Sequence, residues 1–314
     1  MRLSRRDVFV AAAAAGLTGR LGRAAAALPR DRTYTVAFAQ DTAANDWRVA
    51  QVRAVAAELA KYPSIRFRHT EANGRMAQQI LDIEELVAER IDVLITSPLD
   101  PVAMAPVIAG VEAKGVPVIL LSRRIEGDGF TSFITADNYE IGRRACQFLA
   151  RRLHGQGRIL VLQHIPTTTP AIGRTNGFMD ELKNHPGLTV AAMHRADSLR
   201  AKAIQVVDEA LAGGLAFDAI YAQSDSMASG ARLALKRAGI EPSAKPTIGI
   251  DYIQESREAI LAGEQEASFT YPTFGREGAQ LAVRLLEGQS VPKFLTVESM
   301  LVTRDNAASV DPIF

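Results

Sequence analysis

The chain has 314 residues, 47% of them hydrophobic and 23% charged, with 36 Lys and Arg against 35 Asp and Glu. That balance supports a sizeable buried core in one large domain or two ordinary ones, and it excludes a disordered chain, a collagen or a disulfide scaffold. A net charge of +1 gives no electrostatic footing for nucleic acid, the single Cys146 cannot form an internal bridge, and five scattered histidines offer no metal-ligand spacing.

Residues 1–27 read as an export signal. Arg5 and Arg6 form a charged start, 8–17 is an apolar run, and Ala25 and Ala27 supply a small-residue cleavage pattern. Those ten apolar residues are too few to span a membrane, which takes about 20. Ser4-Arg5-Arg6, the weakly hydrophobic alanine core and the basic Arg20 and Arg23 fit a twin-arginine signal, so a periplasmic location is expected. A Sec signal with incidental arginines and a basic amphipathic helix are the alternatives. Cleavage would turn a slight excess of basic residues into a slight excess of acidic ones.

From Thr33 onward, short apolar strands alternate with longer segments of helical period. Strands are predicted at 34–39, 65–69, 93–96, 116–121, 132–135 and 158–163, then at 188–193, 219–222, 247–250, 266–270 and 298–302. Most are near-continuous Val, Ile, Leu and Ala runs, the mark of parallel strands buried on both faces. Helices are predicted at 47–61, 76–89, 139–153, 201–211 and 226–238. The alternation implies an α/β fold with doubly wound parallel sheets and right-handed crossovers. One pattern occurs twice. Residues 91–100 and 217–225 each place an acidic residue before a buried strand with a polar end, followed by a helix closed by glycine. Two similar α/β halves fit the usual domain size. No Pro/Gly/Ser-rich linker separates them.

Ligands of parallel sheets collect beyond the carboxyl ends of the strands. Asp41, Asn45, Trp47 and Arg48 follow the first predicted strand, Ser122 and Arg123 the fourth, and Arg174 comes after the sixth. Ser224 follows the eighth, Asp251 the ninth and Tyr271 the tenth. Carboxylates, guanidiniums, amides and aromatics together suit a polyhydroxylated ligand, because each hydroxyl both donates and accepts. Helix caps, ion pairs and core aromatics are the mundane alternatives for single residues. Nothing reads as an enzyme: there is no Gly-x-Gly-x-x-Gly after a strand, no phosphate loop and no Gly-x-Ser-x-Gly. Cys146 falls in a predicted helix as a structural thiol, and no cofactor or metal is expected.

An ordered series of motifs is more specific. It runs Gly115-Val-Pro-Val-Ile, Thr135-Ala-Asp-Asn-Tyr-Glu-Ile-Gly142, Gly173-Arg-Thr-Asn-Gly-Phe178, Tyr221-Ala-Gln-Ser-Asp-Ser-Met-Ala-Ser-Gly230, Gly249-Ile-Asp251 and Gly275-Arg-Glu-Gly278. In this series the chain resembles the periplasmic sugar-binding proteins of the ribose-binding type, over residues 33–304. That family shares its fold with lactose-repressor-type regulators, but residues 1–32 are too short and alanine-rich for a DNA-binding helix-turn-helix.

The resemblance implies two lobes joined by three crossing segments, near 136–137, 271–272 and 297–298, closing on ligand like a trap. It assigns 28–136 with 272–297 to the N-terminal lobe and 137–271 with 298–314 to the C-terminal lobe. It places Asn45, Trp47, Arg123, Arg174 and Asp251 at ligand-contacting positions, with Trp47 stacking on the sugar and Asp251 holding hydroxyls. Departures from the family are Arg48 for an aromatic, Ser122 for an aspartate, Ser198 for an aromatic, Ser224 for an asparagine and Tyr271 for a glutamine. Asp41 replaces a small polar residue. The implied function is capture of a sugar or polyol by a monomer and delivery to the membrane permease of an ABC transporter. A chemosensory protein feeding a receptor is the alternative. A neutral sugar with Arg48 turned aside is the simpler ligand reading; a sugar acid is the other.

Overall fold

The computed structural model describes residues 32–314, so the export-signal reading, with Arg5 and Arg6, lies outside the described residues. The first sheet is built from β1 (Tyr34–Gln40), β2 (Ile65–Glu71), β3 (Val93–Thr96), β4 (Val118–Leu121), β5 (Ser132–Thr135) and β11 (Phe294–Thr296), in the order β11-β5-β4-β3-β1-β2. The second is built from β6 (Gly157–Gln163), β7 (Leu188–Arg195), β8 (Ala219–Ala222), β9 (Thr247–Asp251), β10 (Ala267–Thr270) and β12 (Leu301–Thr303), in the order β12-β10-β9-β8-β6-β7. Pairing is parallel except between β10 and β12.

The helices are α1 (Asp46–Leu59), α2 (Met76–Ala88), α3 (Ala105–Ala113), α4 (Asn138–Arg152) and α5 (Thr169–Leu182). They continue as α6 (Arg200–Ala212), α7 (Asp225–Arg237), α8 (Gln254–Ala262) and α9 (Gly275–Leu286). Every residue of β1 is buried, and its side chains alternate between two cores: Val36 and Phe38 join one, Ala37 and Ala39 the other. In β6, Ile159 and Val161 likewise share the first core while Leu160 and Leu162 enter a third. A strand with an apolar layer on each face has no solvent side to encode, hence the continuous runs in the sequence.

The chain passes between the sheets at 136–137, 271–274 and 297–300. The crossings set the helix pairing, because α4 arrives over the first and packs on α5, while α9 arrives over the second and packs on α1. The predicted strand at 298–302 forms only at Leu301–Thr303, since the residues before it are spent on the third crossing.

Candidate functional site

Close glycine contacts seat the two helices that carry the site. A Cβ on Gly142 of α4 would lie 2.1 Å from the Arg174 carbonyl oxygen, and one on Gly177 of α5 would lie 2.0 Å from that of Tyr139. Gly275 does the same for the other pair: its Cβ would lie 2.5 Å from the Gln51 carbonyl oxygen on α1. In each lobe a helix that carries site residues is thus locked onto the helix that follows a crossing segment. Arg174 sits on α5, and Trp47 and Arg48 on α1. Helix α1 starts where it does because Asn45 Oδ1 accepts from Arg48 N at 2.9 Å.

The carboxyl ends of the two sheets converge on a small cavity. One lobe supplies Asn45, Trp47, Arg48 and Ser122; the other supplies His164, Pro170, Arg174, Ser198, Ser224, Ser226 and Asp251; Tyr271 comes from the second crossing. Nine of the eleven candidates from the sequence therefore meet in one wall. Asp41 and Arg123 lie elsewhere. Arg123 lines a wider outer cleft, which shares Asn45, Arg48 and His164 with the inner cavity.

Asp41 is fully buried behind that wall as the common counter-ion of two guanidiniums. Its Oδ2 accepts from Arg123 Nη1 at 2.6 Å, and its Oδ1 lies 3.7 Å from Arg48 Nε. Arg48 does not turn aside. Its Nη1 donates to Ser97 Oγ at 2.7 Å and to Gln51 Oε1 at 3.1 Å. Burial, then the Arg123 charge, lowers its pKa to about 10, so it stays cationic at neutral pH. Across the cleft Arg174 stacks 4.4 Å over the Tyr271 ring and donates to Asn138 Oδ1 at 2.9 Å and to the Gln223 carbonyl at 2.5 Å. Asp251 accepts from Asp225 N at 3.4 Å. Burial, then the Asp225 carboxylate, pushes the Asp251 carboxyl well above the ordinary range.

Several bonds join the lobes. His164 Nε2 lies 3.3 Å from Arg123 Nη2 and Nδ1 lies 2.5 Å from Ser198 Oγ. A guanidinium only donates, so Nε2 must accept and Nδ1 must carry the proton given to Ser198. Burial, then the charge of Arg123, holds His164 well below the usual histidine value. Asn45 Nδ2 donates to the Ser198 carbonyl at 3.5 Å, and Asp46 lies 3.8 Å from Arg200. Ser122 Oγ meets the Tyr271 hydroxyl at 3.1 Å. Three wall residues occupy the left-handed region without being glycine: Ser122 at φ +65°, Ser198 at +60° and Asp251 at +124°. Such positions cost about 1–3 kcal/mol each and persist where packing over-determines them.

Some candidates are partly structural. Ser224 caps α7, accepting from Met227 N at 3.3 Å. The Trp47 indole donates to the Tyr271 carbonyl at 3.0 Å, its ring packed against Tyr271 and Phe274. Burial pushes the Cys146 thiol up to about 12, as befits an inert core residue. His164, Pro170 and Ser226 escaped the sequence reading. His164 is the first residue past β6, so the strand-end rule that found the others also points to it.

Among the described residues no group of three or more His, Cys, Asp or Glu could hold a metal, and no helix is long and apolar enough to cross a membrane. A xylitol-binding protein of Mycolicibacterium smegmatis is 27% identical over 250 residues, covering 79% of this chain and 71% of the relative. The fructose-binding periplasmic domain of a hybrid two-component system matches with a TM-score of 0.82 at 32% identity, over 88% of this chain and 92% of that one. A Mycobacterium smegmatis protein solved with β-D-fucofuranose matches with a TM-score of 0.84 at 27% identity, over 88% and 93%. Residues 36–290 match the model of a periplasmic binding protein domain. With that match across most of its length, the chain belongs to the periplasmic binding protein family, whose members here are solute binders and not enzymes.

Proposed function

We propose that this chain captures a small sugar or polyol between its lobes and presents the closed form to the membrane permease of an ABC transporter. The observation that carries the reading is the inner cavity itself, walled by polar side chains from both lobes. Asp251, Arg174, Asn45 and the serine hydroxyls offer the mixed donors and acceptors that a polyhydroxylated molecule needs. The names of the relatives fit: xylitol, fructose and fucofuranose are all of this class. A ligand touching both lobes makes its full set of contacts only when they are closed, so it shifts the open–closed balance by that difference in affinity.

In this reading residues 28–136 with 272–297 form one lobe and 137–271 with 298–314 the other. The protein works as a monomer in the periplasm, exported through the signal at 1–27 by the twin-arginine route. The test is a thermal-shift screen of pentoses, hexoses and polyols on the purified chain. A true ligand raises the melting temperature with its concentration; a wide panel with no shift ends the proposal. A second reading, in which the closed form engages a receptor, is favoured by the two-component neighbour. Loss of labelled-ligand uptake on deleting a co-expressed permease supports transport, and unchanged uptake supports the receptor.

A further inference from the structure

The charges that converge on the cleft do not balance. Arg48, Arg123 and Arg174 are each no more than 3% exposed, and the carboxylates among them are Asp41 and Asp251. Behind Asp251, Asp225 accepts from Ser268 Oγ, Gln265 Nε2 and Tyr252 N, while Arg232 on the same helix pairs with Glu255. His164 is neutral, its Nε2 accepting from Arg123 Nη2. In the outer cleft Arg195 and Lys202 both pair with Asp197, and Asp100 offsets the remainder. With Asp251 held toward its neutral form, the cationic guanidiniums here outnumber the ionised carboxylates. In an enclosed cavity an uncompensated charge is costly, and a bound anion removes that cost.

The surplus also has a direction. Arg48 and Arg174 face the same cavity from opposite lobes. Arg48 spends Nη1 on Ser97 and Gln51, and Arg174 spends Nε and Nη1 on Asn138 and Gln223. Among the described residues neither Nη2 has a hydrogen-bond partner. Asp251 is the one carboxylate in the described wall, and burial together with Asp225 holds it toward its neutral form.

Resting on the sugar-capture reading, we propose that the ligand is a monosaccharide-sized polyhydroxy monocarboxylate, an aldonic or uronic acid. Its carboxylate is bound by Arg48 and Arg174, and its hydroxyls by Asn45, Ser224 and Asp251. A carboxylate supplies the anion that this excess calls for. Guanidiniums suit this task because their paired N–H groups match carboxylate geometry.

The experiment is calorimetry on the purified chain at pH 7 with matched pairs of aldoses and uronates, alditols and aldonates, and a hexose phosphate as a third arm. The expected result is that one acid binds at least tenfold tighter than its neutral partner. Arg48→Gln should erase most of that preference, while Arg48→Lys, which keeps the charge, should retain it. Since the pairs are compared on the unaltered chain, the outcome does not depend on either variant folding. A neutral member binding as tightly as its acid, or the phosphate binding tighter than both, overturns the carboxylate assignment and leaves sugar capture standing. No binding by any compound overturns both.

Discussion

The two lobes follow one plan and part company at the cleft. In each, the helix that carries site residues rests through glycine on the helix that follows a crossing, α1 on α9 and α5 on α4. Their sheets have matching strand orders, yet the sixth strand is parallel in one and antiparallel in the other. Strand β11 arrives from within its lobe and runs toward the cleft, whereas β12 starts at the cleft and runs away. The electrostatics diverge more. One lobe buries two guanidiniums, Arg48 and Arg123, around a single carboxylate, Asp41; the other buries two neighbouring carboxylates, Asp225 and Asp251, along with Arg174 and Arg232. A shared fold fixes where side chains converge but leaves their charge open.

That contrast can be broken by mutation. The largest effect is expected from Asp41→Ala, which leaves Arg48 and Arg123 buried without their counter-ion; urea unfolding should show a loss of about 3–5 kcal/mol. Next comes acid titration of ligand affinity. His164 faces Arg123 most closely, with Arg174, Arg48 and Arg195 further off, and its lowered pKa favours the neutral ring in the closed cleft. That contribution is whole above the ordinary histidine value of about 6.5 and is lost as pH falls from there toward the lowered one. Affinity should drop by up to about tenfold per pH unit in that window. His164→Gln should flatten that drop, and an unchanged profile would remove the ring from closure.

Asp251→Asn tests the opposite wall. Relieving the like-charge neighbour should raise unfolding stability by about 0.5–2 kcal/mol while weakening ligand binding. A loss of stability there would make the two lobes electrostatically alike. The smallest effects belong to the caps. Asn45→Ala on α1 and Ser224→Ala on α7 should each cost about 1 kcal/mol in thermal unfolding, with the Asn45 change also loosening the bond to Ser198.

Much of the fold was legible because buried parallel strands announce themselves as apolar runs, as in residues 34–40 and 159–162. Strand β11 was not: only Leu295 of its three residues is even half-buried, and its edge pairing with β5 leaves no pattern. Helices α5, α8 and α9 also went unnamed; α9 begins after Phe274, held in a left-handed conformation that its sequence does not advertise. Within the site, spacing revealed which residues stand at strand ends. It could not reveal which way they turn, so Asp41 and Arg123, read as ligand groups, were found bonded to each other.

The third crossing bears on how the molecule is made. The first sheet lacks its edge until residues 294–296 emerge, and the second lacks its own until 301–303, after which Ile313 N and Gln254 N tie the tail to the body of that lobe. Neither lobe is a contiguous stretch of chain. A nascent polypeptide still on the ribosome therefore carries two unfinished sheets at once, and assembly must await pairings between distant segments, the slow kind. Such a chain stays in an incompletely folded form until residues 301–303 have emerged.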